Sequence, residues 1–358
     1  MKKNLIIFKF LPVIGILFFS SCEKDDIIDE QPKVTPTSGV LILNQGSQGV
    51  NNSGITYYDY ASGTVLDEDI MDGRLGDTAQ DMLVYGGKIY VSVTKSSVIW
   101  VLSLSNFDEL GKIYVNDGAV PREPNFLAAY ENKVYATTID GHVIRIDTAS
   151  LAIDAITAVG ADPLGIAAAE GKLYVGNTNG LNFPNFDNTL SVIDIATFSE
   201  VLPRIEVGLN PNRIKYDGNE NLYITYLGNY ADVAGGIQKI DLKTRTVVNI
   251  SNVPANQDFT ILNDTLYYYG VTYNDKGLAN NVFGRYDLKN GRQIAGNLIS
   301  EVPQFTTVYA FGIDDYSRDI YVADTDYSNP STIYIFDRNG KKKSEFTAGI
   351  NAYKFVFI

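Results

Sequence analysis

The side chains that carry acid, base, nucleophilic or metal chemistry are scarce in this 358-residue chain, which has one histidine, His142, and one cysteine, Cys22. Histidine-based triads and zinc sites built from several His or Cys ligands are therefore excluded. His142 sits in a short turn, IDGHV, where a turn residue is the first reading. Carboxylates are plentiful, 42 in all, and most must form a solvated acidic surface. One stretch, Asp324-Thr325-Asp326-Tyr327-Ser328-Asn329, places oxygen ligands at alternate positions as a hard cation requires, without the glycine and terminal glutamate of an EF-hand loop. No Gly-rich phosphate loop and no basic aromatic patch is present. We therefore expect no cofactor and assign no catalytic or metal-binding residue. The abundant recognition chemistry is of another kind: amides and aromatics clustered between regular segments.

Those clusters need a scaffold, and a leader must be set aside first. Lys2, Lys3 and Lys9 precede the apolar run 10–19, which is too short to cross a bilayer, and Phe19-Ser20-Ser21-Cys22 ends in the lone cysteine. Residues 1–21 read as a lipoprotein signal peptide, Cys22 as the lipidated residue, and 22–38 as a polar, acidic tether. The protein is expected to be anchored to the outer membrane through that lipid. Net charge is −13, and loss of three lysines with the leader makes it −16, so nucleic acid is not an expected partner.

Residues 39–358 carry a repeat. A turn followed by an aromatic strand recurs with Tyr90, Tyr135, Tyr174, Tyr223, Tyr267 and Tyr321, at intervals of 45, 39, 49, 44 and 54. A second alternating strand follows and usually ends in aspartate: Asp59, Asp147, Asp194, Asp241, Asp287 and Asp337, with Ser103 as the exception. This spacing fits one four-stranded antiparallel blade per unit. Six units and two partial ends predict an all-β, seven-bladed β-propeller. Residues 353–358 would supply the inner strand of the blade begun at 40–44, 55–59 and 64–70, closing the ring.

In such a meander the connections alternate between two faces. The long excursions 44–54, 177–188, 226–236, 270–281 and 324–331 should then share one face with the segments that enter each inner strand. Their contents, Asn44, Asn177, Phe183, Phe186, Tyr226, Tyr230, Tyr273, Asn274 and Tyr327, resemble a paratope, rigid aromatics beside adaptable amides. Gln80, Arg122, Asn125, Asn212, Arg213 and Phe305 are expected nearer the channel mouth. Together they form the candidate ligand-binding set.

The unit ADPLGIAAAEGKLYVGN with LSVIDIATFSEV resembles the YncE-like propeller family. The opening NQGSQGVNNSGITYYDYASGTV with GRLGDTAQDMLVYGGKIYV is similar to a Bacteroidetes subgroup of lipoprotein propellers that includes the BtuG surface cobalamin-binding proteins. Where that pattern has Asn-Glu-Gly, this chain has Asn44-Gln45-Gly46. Glu23-Lys24-Asp25-Asp26 likewise resembles a surface-export signal of such lipoproteins. The resemblance implies an outward-facing, non-enzymatic protein that captures a small molecule, a corrinoid in the subgroup's case, for a TonB-dependent outer-membrane transporter. A protein- or glycan-interaction scaffold and a lactonase-type propeller hydrolase are the alternatives.

Overall fold

The computed structural model describes residues 35–254, 256–273 and 279–358; the leader, Cys22 and the tether up to residue 34 lie outside the described residues. Pro36–Ile358 forms one compact unit. The chain builds a seven-bladed β-propeller in which each blade is an antiparallel meander. The inner strands, in ring order, are Ala352–Phe357, Ala79–Tyr85, Pro124–Tyr130, Pro163–Ala169, Pro211–Tyr216, Asp258–Leu262 and Val308–Ile313. Each touches the next, and the last touches the first. Closure follows the sequence expectation: Gly39–Asn44 pairs with Gly54–Asp59 on one side and with the C-terminal Ala352–Phe357 on the other, Val40 opposite Phe357.

Two periodicities explain the layering. Second strands such as Lys88–Val93 are buried at every position after the first, because neighbouring blades cover both of their faces. Outer strands such as Ile153–Ala158 alternate half-buried and exposed, having one face in water. Among the described residues the buried apolar side chains fall into seven clusters, and each cluster spans one pair of adjacent blades. The repeat tyrosines lie on the side facing the following blade. Tyr90, Tyr135, Tyr174, Tyr223 and Tyr321 are buried, whereas Tyr267 is half-buried and Tyr268, on the opposite side of the same strand, fills the core.

Two fourth strands depart from the regular pattern for local reasons, and one entry segment carries an added hairpin. The fourth strand of blade one stops at Asp67 rather than 70, because the Asp69 carboxylate takes the N–H groups of Ile55, Met71 and Gly73 at 3.0, 3.0 and 2.7 Å. That of blade four is broken into Ser199–Glu200 and Ile205–Glu206 around Pro203, which has no N–H for the ladder. The segment entering blade three contains a small hairpin, Asn116–Asp117 with Val120–Pro121.

The repeated aspartates cap the turns that follow them. Asp59, Asp194 and Asp241 accept the N–H of Ser62, Thr197 and Thr244 at 2.7, 2.9 and 2.8 Å. These bonds hold the three carboxyls below their ordinary value, as do Asn290 for Asp287 and the Lys341 N–H for Asp337; at Asp147 the Lys133 ammonium leads. A carboxyl depressed in the folded state contributes stability above its unfolded value near 4 and loses it as pH falls through the folded value. The melting temperature is expected to hold from pH 7 to about 5 and to fall steadily below about pH 4. A melting temperature unchanged at pH 3 would contradict this.

Candidate functional site

The faces can be assigned from hydrogen bonds. Just past the second strand, or in its extended end in blades five and six, a backbone N–H donates to the segment entering the inner strand in all seven blades: Gln45 to Asn351, Thr94 to Thr78, Ile139 to Glu123, Asn179 to Ala161, Leu227 to Asn210, Thr325 to Thr307, and Val271 to the Asn256 side chain. The long excursions therefore share one face with the entry segments. Blades five and six build theirs as extended hairpins rather than open loops. Asn221–Gly228 pairs with Ala234–Asp241, and Thr265–Tyr273 with Ala279–Asp287. Asn274 lies outside the described residues.

On this face the exposed aromatics gather. Phe183 (67% exposed) meets Phe186 edge-on at 5.8 Å between ring centres, and Phe186 meets Tyr230 (67% exposed) edge-on at 5.7 Å. Leu181 and Val233, from the same two excursions, are also exposed. Asn210, which leads into the inner strand of blade five, donates to the Tyr230 hydroxyl at 3.3 Å. The aromatic wall is thereby tied to the strand that carries Arg213.

The channel mouth is closed by a polar relay. Tyr309 donates to the Gln45 carbonyl at 2.5 Å, the Gln45 amide to Gln80 at 3.1 Å, and the Gln80 amide to the Tyr353 hydroxyl at 3.1 Å. From blade five, Arg213 donates to the same hydroxyl at 2.9 Å and lies over the Phe126 ring at 4.5 Å. That bond crosses the ring, since blade five is three places from blade one. Tyr327 (52% exposed) packs edge-on against Tyr309 at 5.6 Å, and Tyr309 against Tyr353 at 5.5 Å, so an aromatic path runs from a surface loop to the mouth. Burial pushes the Tyr309 hydroxyl up, with the neighbouring Tyr353 adding to it.

Gln80, Phe183, Phe186, Arg213, Tyr230 and Tyr327 are thus brought to the wall or the mouth, and Tyr273 is exposed at the end of its strand. Other expected contacts serve the framework instead. Asn44 and Asn177 are buried and donate to Thr56 and Thr189 at 3.0 and 2.9 Å. Tyr226 is half-buried between two glycines; a Cβ on Gly208 would lie 2.2 Å from its ring, and one on Gly236 2.7 Å from its hydroxyl. Arg122 is buried against Asp117 at 2.7 Å, Asp140 and His142, holding the hairpin before blade three. Asn125 is buried and bonded to the Pro163 carbonyl at 3.3 Å. The half-buried Asn212 presents its carbonyl to Gly165, and Phe305 packs against Phe283 and Tyr334 at 5.9 and 5.4 Å.

Solved structures of the same shape exist. The chain is similar to the computationally designed Ika8 protein (TM-score 0.58, 12% identity, 90% of this chain and 97% of that one). It is also similar to hydrazine synthase of Kuenenia stuttgartiensis (0.57, 14%, 71% and 74%) and to the dihydro-heme d1 dehydrogenase NirN (0.56, 9%, 89% and 75%). The likeness is one of fold alone. No protein-family model and no curated protein matches the chain. A propeller of this kind fits a ligand-binding or interaction scaffold.

The calcium-like stretch has an internal explanation. Asp324 accepts the N–H groups of Thr306 and Thr307 at 3.1 and 2.7 Å, and Asp326 those of Ser328 and Asn329 at 2.9 and 2.7 Å. The Asn329 side-chain amide, ahead of these N–H donors, holds the Asp326 carboxyl down at about 2. Among the described residues no group of three or more His, Cys, Asp or Glu side chains is placed to hold a metal ion.

Proposed function

We propose that this chain is a lipid-anchored, outward-facing binding protein that captures a small amide-bearing ligand, such as a corrinoid, and passes it to an outer-membrane transporter. The observation that carries the reading is the exposed Phe183–Phe186–Tyr230 wall standing on the same face as the Gln45–Gln80–Tyr353 relay. Exposed aromatic surface of this kind is costly to leave in water and marks recognition sites. A broad ring edged with amides would lay its apolar face on the wall and its edges on side-chain amides and hydroxyls. The reading is of a binder, not a catalyst. His142 is engaged by Arg122 at 3.2 Å and by Asp140 at 3.3 Å, and Asp140 is itself paired with Arg122, so the histidine belongs to the ion-pair cluster that holds a turn. No helix among the described residues is long and apolar enough to cross a membrane, and anchoring is assigned to the lipid at Cys22.

Calorimetric titration of the purified protein with cyanocobalamin is expected to show saturable binding. The variants Phe183→Ala and Tyr230→Ala should each weaken it by about tenfold, the loss of one well-packed aromatic contact worth about 1.4 kcal/mol. No heat at high micromolar ligand would remove the corrinoid reading, and capture of a protein or glycan by the same face would replace it.

A further inference from the structure

Beneath the mouth, the channel has a charge character opposite to that of the chain. Its cavity of about 310 Å³ is lined from all seven inner strands, with Phe311, Ile313, Phe355 and Phe357 toward the turn-bearing end. Three cations line it, Arg213, Lys215 and Lys354, against two carboxylates, Asp81 and Asp258, in a protein of net charge −13. Asp81 is already engaged, accepting the Leu127 N–H at 2.8 Å on one oxygen and Lys354 on the other. Asp258 accepts its neighbour's N–H, that of Phe259, at 2.8 Å, and it forms no salt bridge among the described residues.

We propose that the central channel is a binding site for a small oxyanion, a carboxylate or phosphate group, held between Arg213 and Lys215. The two residues are two apart on one strand, and both line the cavity. Among the described residues the Lys215 ammonium makes neither a salt bridge nor a hydrogen bond, although the residue is half-buried and lines the channel. Arg213 commits one terminal nitrogen to Tyr353, and among the described residues the other terminal nitrogen has no hydrogen-bond partner. Burial pulls the Lys215 ammonium below its ordinary value; Lys354 and Arg213 push the same way, and Asp258 and Asp81 oppose them. An unpaired cation in such a place is costly, and an oxyanion bridging the guanidinium and the ammonium would supply the missing partner. At roughly 30 Å³ per water-sized group, the cavity takes an acid of about ten heavy atoms. The site lies in the channel rather than on the aromatic wall, so it stands independently of corrinoid capture.

The test is a titration of the whole protein with inorganic phosphate and, separately, with succinate, read by calorimetry and by melting temperature. Saturable binding of either anion is expected, with a rise in melting temperature; which anion binds tells phosphate from carboxylate recognition. Lys215→Met should raise the melting temperature of the free protein and weaken anion binding at least about tenfold, while Lys215→Arg keeps it. Absence of binding of both anions at about 10 mM, or equal affinity of Lys215→Met and the parent, would overturn the proposal.

Discussion

Removal of residues 351–358 is expected to unfold the ring rather than shorten it. The deleted segment is the inner strand of blade one, and Gly39–Asn44 would lose its whole partner ladder on that side. Ala352 and Phe355 are buried, and Phe355 and Phe357 pack against Tyr321 of blade seven at 5.7 and 5.2 Å. Truncating one buried phenylalanine costs about 3–5 kcal/mol. That loss, with the half-buried Phe357 and the ladder, approaches the roughly 5–15 kcal/mol that holds a whole domain folded. Two open sheet edges would also be exposed to aggregation. Circular dichroism and size-exclusion chromatography should show a truncated chain that is unfolded or associated at room temperature. A cooperative melt at the parent's temperature would show that the last strand does not close the ring.

The second large effect is expected at Asp81. Its carboxylate is 2% exposed and joins three inner strands: it belongs to blade two, accepts Lys354 from blade one, and accepts the Leu127 N–H from blade three. Asp81→Leu removes both acceptors. The Leu127 N–H is orphaned in the interior, at about 1–3 kcal/mol, and Lys354 is left beside two further cations. Lys354 is 37% exposed to the channel, which reduces the ionic share, so we expect a total loss of about 3 kcal/mol. Asp81→Leu combined with Lys354→Met should recover part of it, because the second change removes the stranded charge. Chemical denaturation of the two single variants and the double variant measures this coupling. Strictly additive losses would mean that the pair does not act as a unit.

The fold was legible because it is written locally and repeatedly. Tyr90 to Tyr321 mark one position in successive second strands, and Asp59 to Asp337 mark the turns after third strands, where the carboxylate takes turn N–H groups. The channel was not legible. Asp81, Lys215, Tyr309 and Lys354 are separated by tens to hundreds of residues, and only ring closure brings them together. Asp81 and Lys215 sit within two residues of expected mouth residues, Lys354 lies in the closing strand and Tyr309 in the inner strand of blade seven, so reading the inner strands as a set would have found them. Asn44 and Asn177 looked like loop amides, yet both occupy the last position of a second strand, opposite Gly54 and Thr189. A position that recurs in the repeat belongs to the framework, and its side chain is drawn inward to satisfy neighbouring backbone and hydroxyl groups. Tyr226 holds the equivalent place in blade five and is flanked by glycines whose significance appears only in three dimensions.

The reading rests on one asymmetry, that recognition belongs to the face carrying Phe183 and Tyr230 and not to the face of short turns. Its most direct measurement compares cyanocobalamin affinity in Phe183→Ala with that in Tyr316→Ala, an equally simple loss of an aromatic that is 53% exposed on the short-turn face. About a tenfold loss is expected for Phe183→Ala and parent affinity for Tyr316→Ala. Equal losses, or a loss confined to Tyr316→Ala, would contradict it.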